Sequence, residues 1–368
     1  MLTANQIATR KNAAYRYGHV NAYQDFKVRP EGDSLGYILE AIDFIQNHAD
    51  GFPLYFPVTC KVQDTLVIGG QPISAEDALK YHAQPGQGAL SYKEDEYIKG
   101  GRTFPISLKF APRAWLIGDF ETEVYKPVLS YSCSAYQRGA MATQSTTIEG
   151  LKIVGKKSLA NVSGAGNKQI GLLMTGGNNV HLTNCHFFGL DEGFVQNCTY
   201  HTQMTLMRFI NCGRGYLSLG AEASVGVNFL SDHCNIGYEL KSGVGSWLGV
   251  HTEQCPKGVI IGASVNGFIG MYLEQLDKTS GENDYQLQIG YESGGDVRNL
   301  SITAMNIAGE KGILMNPTAK GLTITGSNFV SSEVKTTSPD NQLSITNSFT
   351  DIQGAQQGEI FIDGKQIY

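Results

Sequence analysis

The chain has 368 residues, of which 44 are glycine, and charged residues make up only 17%. This composition excludes a helical bundle and a disordered chain, and it is typical of short strands joined by tight turns. The formal net charge of −6 and the pI near 5.8 provide no basic surface. Nucleic acid is therefore excluded as a partner, and a neutral or weakly charged ligand such as a glycan is favoured.

The N-terminal 19 residues contain no uninterrupted apolar stretch, so they lack the pattern of a signal peptide. No apolar run approaches the roughly 18 residues that span a bilayer. The seven cysteines show no CxxC spacing, which favours free thiols in a reducing cytoplasm over disulfides or a zinc site. The sequence thus predicts a protein made in the cytoplasm, with no metal, no cofactor and no membrane contact.

The predicted elements begin after a short N-terminal peptide, residues 1–24. A helix is predicted over residues 34–47, with Ser34 as its N-cap, because apolar residues recur on one face. These residues are Ile38, Ala41, Ile42 and Ile45. A strand follows at residues 53–57. Residues 69–103 are polar and glycine-punctuated, which predicts an excursion with a short helix from Ser74.

A repeat of about 22 residues follows. Glycines that precede short apolar strands recur at intervals of 22, 22, 22 and 21, at Gly171, Gly193, Gly215, Gly237 and Gly258. Residues one and three positions after each glycine are mostly apolar, whereas those between them can be polar, as Glu239 is. Such alternation indicates strands with one face inward. A unit without a helix excludes a βαβ array, and it is shorter than the roughly 40 residues of a propeller blade.

Winding each unit once around an axis pairs every strand with its counterpart one coil later and buries a continuous core. The sequence therefore predicts an all-β fold, a parallel β-helix. Residues 25–104 hold the cap helix and the first coils, residues 105–350 the body, and residues 351–368 a short C-terminal β segment. At about 4.8 Å per coil, roughly eleven coils form a rod about 50 Å long.

The strand before each repeat glycine carries the candidate site. Aligned across coils, this strand superposes Asp232, Glu253 and Glu274, which we call the carboxylate column. One outward position earlier stand Arg208, His251 and Tyr272. The row between these two outward rows and the row before them are largely apolar and are predicted to face inward. They comprise Met207, Phe229, Val250 and Met271, and Phe209, Ser231, Thr252 and Leu273.

Glycosidic cleavage needs two carboxyl groups, about 5 Å apart for retention or about 6.5–9.5 Å apart for inversion. Adjacent coils offer about 4.8 Å between backbones and alternate coils about 9.6 Å. The carboxylate column is therefore predicted to be catalytic, with Glu253 at its centre. The predicted substrate-binding residues are Arg208, His251, Tyr272 and Trp247, the last two as flat faces for sugar rings.

The sequence permits further interpretations of these residues. The column is also compatible with a solvated strand surface on which Arg208 and His251 balance the acids. Three further acids, predicted to lie in turns, could line the same surface: Asp191, Glu192 and Glu222. A second column holds Cys212, Cys234 and Cys255, which are predicted to fill a turn as stacked thiols rather than to bind a metal.

Residues 23–60 resemble the N-terminal cap of the pectate-lyase-like superfamily, and within it the phage tailspike and capsule-depolymerase branch. The matching motifs are Asp25-Phe26, then Gly32-Asp33-Ser34 before the helix, then the strand at residues 51–57. Lys27 and Val58 stand where the family pattern has glycine. The 22-residue coils extend the resemblance over most of the chain.

The resemblance implies a right-handed β-helix and a homotrimer mounted on a virion, in the phage tail. It implies that residues 1–24 attach to other tail proteins. It also implies depolymerisation of a bacterial capsular or O-antigen polysaccharide, for which hydrolysis is favoured. In a polysaccharide lyase, the second possible enzyme, Arg208, His251 or Tyr272 would neutralise a uronate or abstract its α-proton. The same fold is compatible with a non-catalytic glycan-binding fibre or adhesin, and with a scaffold that has no glycan ligand.

Overall fold

The computed structural model describes residues 2–49, 51–69, 79, 106–132, 146–156, 164–175, 179–262, 266–275, 281, 284–294, 296–330, 332–346 and 358–366. The predicted helix from Ser74 and most of the excursion over residues 69–103 lie outside these ranges. Three helices come first, namely α1 (Ala4–Tyr17), α2 (Ala22–Phe26) and α3 (Leu35–His48). None of the described helices is long and apolar enough to cross a membrane.

The strands of the first coils are β1 (Val20–Asn21), β2 (Leu54–Phe56), β3 (Cys60–Val62), β4 (Leu66–Gly69), β5 (Leu108–Phe110), β6 (Leu116–Gly118), β7 (Lys126–Ser132), β8 (Thr146–Glu149) and β9 (Lys152–Gly155). The middle coils contain β10 (Gln169–Thr175), β11 (Val180–Phe188), β12 (Glu192–Tyr200), β13 (Gln203–Ile210), β14 (Arg214–Asp232), β15 (Ile236–Glu253), β16 (Lys257–Ile261) and β17 (Asn266–Glu274). The last coils contain β18 (Leu287–Ile289), β19 (Leu300–Ala308), β20 (Lys311–Met315), β21 (Leu322–Thr325), β22 (Asn328–Val330), β23 (Glu333–Thr336), β24 (Gln342–Thr346), β25 (Glu359–Ile362) and β26 (Lys365–Gln366).

The predicted repeat sets the register of the strands. The residue after each repeat glycine pairs in parallel with its counterpart one coil later, in the series Leu172, Phe194, Tyr216, Tyr238 and Val259. All pairings among the described strands are parallel, apart from the hairpin between β25 and β26. Each coil therefore stacks on the previous one, and the predicted all-β fold, a right-handed parallel β-helix, is confirmed.

The cap helix is confirmed as well. α3 coincides within one residue with the predicted helix, and its apolar face is buried as predicted. α1 was not predicted, although Thr3 and Gln6 form a capping box at its start. α1 packs on the cap through Arg10, whose guanidinium lies 4.2 Å from the centre of the Phe26 ring. The N-terminal peptide is thus largely helical and contacts the cap.

The core is a stack of inward side chains that continues from coil to coil. Phe187 and Phe209 lie on successive coils with ring centroids 5.3 Å apart, and Phe209 and Phe229 lie 6.3 Å apart. The eight residues predicted to face inward are all buried. Because a shift of one residue would turn every one of them outward, their burial confirms the predicted register.

The register places the side chain of Val250 in the core, where it is 3% exposed and the residue pairs with Phe229. Val250→Asp buries an unpaired carboxylate and is expected to lower the free energy of unfolding by at least about 3 kcal/mol. Ser246→Asp, at an exposed position of the same strand, is the matched control and should cost less than about 0.5 kcal/mol. Urea titrations of the two variants measure the difference, and equal costs would contradict the register.

Candidate functional site

The carboxylate column lies on the outer face of β14, β15 and β17. Asp232 pairs with Glu253, and Glu253 pairs with Glu274, so the three acids occupy adjacent coils. The residues immediately before them are fully buried. Alternation therefore directs the carboxylates outward, and Glu253 is the most exposed of the three. The structure brings the three predicted acids together on one surface.

The three carboxylates differ in their partners. Asp232 is hydrogen-bonded to Nδ1 of His233 in the following turn. Glu274 accepts a hydrogen bond from the hydroxyl of Tyr272 at 2.8 Å, and this bond raises the pKa of the tyrosine. The carboxylate of Glu253 forms no hydrogen bond or ion pair with any residue that the structure describes, although the backbone oxygen of this residue accepts a hydrogen bond from the N–H of His233. The central carboxylate is thus open to a ligand.

The three flanking residues Arg208, His251 and Tyr272 lie on the same face as the column. His251 pairs with Tyr272, and the two rings meet edge to face with centroids 4.7 Å apart. Nε2 of His251 is buried and has no hydrogen-bond partner among the described residues. Arg208 is exposed and forms no ion pair with any described acid. The column is therefore not neutralised by its cationic neighbours.

The prediction for Trp247 is wrong. Trp247 is 5% exposed and stacks inside the coils on Phe268, with ring centroids 6.3 Å apart. Its Nε1 donates a hydrogen bond to Oδ1 of Asn266 at 3.2 Å. Alternation counted back from His251 places Trp247 outward, but Gly249 adopts a left-handed conformation, with φ 68°, that interrupts the alternation. Trp247 consequently supports the core and offers no face to a sugar.

The left-handed position of Gly249 recurs in the neighbouring coils and marks a bend in each of these outer strands. It is occupied by Asn184, Leu206, Asn228 and Gly270, with φ between 55° and 70°. Asparagine and glycine tolerate this conformation well. The recurrence of asparagine or glycine at four of these five positions, which are spaced by 22, 22, 21 and 21 residues, is the signal in the sequence that could have predicted the bend.

A groove of about 470 Å³ runs along the bend and crosses four coils. It is lined by Asn184, His186, Leu206, Met207, Arg208, Asn228, Phe229, Leu230, Gly249 and His251. None of these described lining residues is an acid. Since Glu253 follows His251 by two residues on β15, the groove borders the carboxylate column. The groove was not predicted, because it depends on the bend.

Leu206 is strained at this bend. It adopts φ 57°, and its side chain is 49% exposed at the groove. A left-handed conformation costs an ordinary residue about 1–2 kcal/mol, and strained residues concentrate at binding sites. An exposed leucine in a strained backbone therefore points to use of the groove as a binding surface.

We expect Leu206→Asn to raise the free energy of unfolding by about 1 kcal/mol, because asparagine tolerates the left-handed conformation. Leu248→Asn is the matched control, since Leu248 is 47% exposed and does not have a positive φ. Urea titration of both variants is the measurement. An equal gain in the control would show that removal of exposed apolar surface, rather than relief of strain, is the cause.

A second charged cluster on the outer face of β12, β14 and β15 was missed. Arg214 donates hydrogen bonds of 2.9 and 2.7 Å to the two carboxylate oxygens of Glu192, and a third hydrogen bond to Glu239. The other oxygen of Glu239 accepts a bond of 3.0 Å from the hydroxyl of Tyr291. Both acids are at least 95% buried. This cluster ties coils together and leaves no carboxylate oxygen free for a substrate.

The three acids that were predicted to lie in turns are not equivalent. Glu192 belongs to the buried cluster and lies at the start of β12 rather than in a turn. Oδ1 of Asp191 accepts a hydrogen bond from the backbone N–H of Gly166 at 2.7 Å. The side chain of Glu222 lies outside the described part of the chain. Asp191 and Glu192 are thus engaged within the fold.

Arg214→Met leaves the two buried carboxylates of this cluster without their cation, so the stability that this variant loses is expected to depend on pH. The free energy of unfolding is expected to fall by about 3–5 kcal/mol at pH 7. The loss should be smaller at pH 5, because burial raises the pKa of Glu192 and protonation removes the unpaired charge. Arg298→Met, at an exposed arginine paired with exposed Asp296, should cost under about 1 kcal/mol at both pH values. Denaturant titrations at the two pH values are the measurement. If Arg214→Met lost the same stability at both, unpaired buried carboxylates would not be the cause.

Comparisons with known proteins give only structural matches. No model of a known protein family and no curated protein matches the chain. The structure is similar to ORF18 of Geobacillus virus E2, at 15% identity and a TM-score of 0.47, over 96% of this chain and 63% of that one. This chain thus spans less than two thirds of that viral protein.

Two further structures are similar. One is the surface adhesin PfbA of Streptococcus pneumoniae, at 11% identity and a TM-score of 0.49, over 94% of this chain and 97% of that one. The other is the tailspike of Escherichia coli bacteriophage HK620 in complex with a hexasaccharide, at 12% identity and a TM-score of 0.45, over 93% and 67%. Similarity of this degree concerns the path of the backbone, and the β-helix itself is established by the strand pairing.

Proposed function

We propose that this protein binds a bacterial capsular or O-antigen polysaccharide and cuts it by endo-glycosidic hydrolysis at the carboxylate column. The observation that carries this proposal is the stack of Asp232, Glu253 and Glu274 on adjacent coils beside an open groove. Acids stacked in one ladder repel each other, and no described cation neutralises Glu253. A catalytic role explains why three acids share one face of the coils.

The partners of the three acids suggest a division of roles. Glu253, which no described group engages, is placed to donate a proton to the glycosidic oxygen. Asp232 is held by His233 and Glu274 by Tyr272, so either is placed to attack the sugar or to activate water. Adjacent coils separate neighbouring strands by about 4.8 Å. This spacing fits a retaining mechanism between Glu253 and either neighbour, whereas Asp232 and Glu274 together fit an inverting one.

The polymer is expected to lie along the rod axis, because the groove crosses successive coils and borders the column on β14 and β15. Leu206 and Leu230 offer apolar surface to the C–H faces of sugars, and Tyr272 offers an aromatic ring at the column. Arg208 and His251 stand between groove and column, where they can hydrogen-bond sugar hydroxyls. Trp247 has no part in this arrangement.

Glu253→Gln is expected to preserve folding and glycan binding, since the side chain is exposed and has no described partner, and to lower turnover by at least about a hundredfold. At least one of Asp232→Asn and Glu274→Gln should have a comparable effect. Glu310→Gln, at an exposed acid outside the column, is the matched control. Chain length of the polysaccharide, followed by size-exclusion chromatography, is the measurement. Cleavage by Glu253→Gln at the unmodified rate would exclude the column.

The products distinguish the proposed hydrolase from a lyase and from a binding fibre. Hydrolysis leaves a new reducing end, and its anomeric configuration, read by NMR, reports retention or inversion. A lyase leaves an unsaturated product that absorbs ultraviolet light. A non-catalytic fibre binds the polymer without shortening it.

The resemblance to phage tailspikes supports the remaining parts of the proposal. These are a homotrimer, a place in the virion and attachment to other tail proteins through residues 1–24. If the trimer forms, light scattering should return three times the chain mass of 39.9 kDa. A mass equal to one chain would exclude the trimer and leave the proposed chemistry unaffected.

A further inference from the structure

The groove and the carboxylate column differ in charge although they are neighbours. Among the described residues that line the groove, Arg208 is the only formally charged one, apart from the imidazoles of His186 and His251. Burial, with Lys152 and Arg208 nearby, lowers the pKa of His186 to about 4, so this ring is neutral at neutral pH. The groove therefore carries positive charge, whereas the column carries three carboxylates.

The cations that surround the groove are not equally available. Lys152, which pairs with His186 from the preceding coil, donates a hydrogen bond to the carbonyl oxygen of Pro112 and lies 5.5 Å from the centre of the Trp115 ring. The guanidinium of Arg208 forms no hydrogen bond or ion pair with any described residue. A free guanidinium in a groove without a described acid favours an anionic ligand, and a carboxylate matches its planar fork.

The imidazoles add neutral hydrogen-bonding groups to this cationic position. Nε2 of His186 lies 3.1 Å from Oδ1 of Asn184. Since an amide oxygen only accepts, Nε2 carries the proton and Nδ1 is left as an acceptor for a hydroxyl. Nε2 of His251 is buried without a described partner, and such a group gains from a ligand that pairs with it. An acidic sugar, which carries a carboxylate flanked by hydroxyls, offers a partner to each of the three groups: the guanidinium of Arg208, Nδ1 of His186 and Nε2 of His251.

We propose that the substrate is a polysaccharide in which acidic and neutral sugars alternate, with the carboxylate of an acidic sugar bound by Arg208. This inference rests on the proposed function and specifies its substrate. The acids of the column stand two residues, or about 7 Å, further along the strands than the positions of Arg208 and His251, and Arg208 lies two coils away from Glu253. An acidic sugar at the column would be repelled by the carboxylates of Asp232 and Glu274. The sugar that is cut is therefore neutral, and the acidic sugar lies beside it.

The test uses the full-length protein and three sets of purified polysaccharides. These are neutral O-antigens, capsular heteropolymers that mix acidic and neutral sugars, and polygalacturonate as a homopolymer of uronate. Binding is measured by affinity electrophoresis and cleavage by size-exclusion chromatography. Polymers of the mixed set should be bound and cut, whereas polygalacturonate and the neutral polymers should not.

For a polymer that is cut, reduction of its carboxyl groups to alcohols should weaken binding by about tenfold or more, as loss of a charge-assisted hydrogen bond does. Arg208→Gln should weaken binding of the native polymer equally and have no further effect on the reduced one. Arg113→Gln, at an exposed arginine outside the groove, is the matched control and should bind like the unmodified protein.

Three outcomes would overturn the inference and leave the proposed function standing. They are cleavage of a neutral polymer, cleavage of polygalacturonate, and binding of an acidic polymer that does not depend on Arg208. Failure to bind any polymer of the three sets would contradict the proposed function itself, and the inference with it.

Discussion

Parallel pairing between successive coils is the constraint on which the rest of this structure depends. Backbone hydrogen bonds hold each residue beside its counterpart about 22 positions later, as Leu172 is held beside Phe194. Side chains consequently form columns, and the residue types of a column decide whether it becomes core, bend or charged surface. The aromatic stack, the left-handed bend and the carboxylate column are three products of this one register.

The same register accommodates charge in two contrasting ways. On the outer face of β12 and β14, Glu192 pairs in register with Arg214. Glu239 lies on β15, three residues after Ile236, the counterpart of Arg214. Arg214 neutralises both buried acids. In the carboxylate column, three acids follow one another without a described cation between them. The first arrangement satisfies its charges within the protein, so removal of one partner would leave an uncompensated buried charge. The second leaves the carboxylate of Glu253 without a described partner, and this is the position to which the proposed function assigns a substrate.

Much of this arrangement could be predicted from the sequence because period and register are local properties. The spacing of the repeat glycines placed Val250 and Thr252 inward and Glu253 outward, as the structure has them. Trp247 was misplaced because a single left-handed residue, Gly249, interrupts the alternation without changing the repeat length.

The groove, the buried Arg214 cluster and α1 were missed for related reasons. The groove exists only because the strands bend, and the partners of Arg214 lie one coil away on either side, where spacing alone does not reveal ion pairing. α1 was overlooked although Thr3 and Gln6 carry its capping signal. Features that depend on one residue type at one position are harder to infer than those repeated in every coil.

The bend recurs in each of the middle coils. Surface residues, like core residues, are therefore spaced along the rod by whole coils. Arg208 and Glu253 lie two coils apart, on β13 and β15. Insertion or loss of one complete coil between them would preserve every backbone pairing while changing their separation by about 4.8 Å. A β-helix of this kind can thus adjust its spacing to polymers with different repeating units by duplicating or deleting coils, without a new core or a new fold.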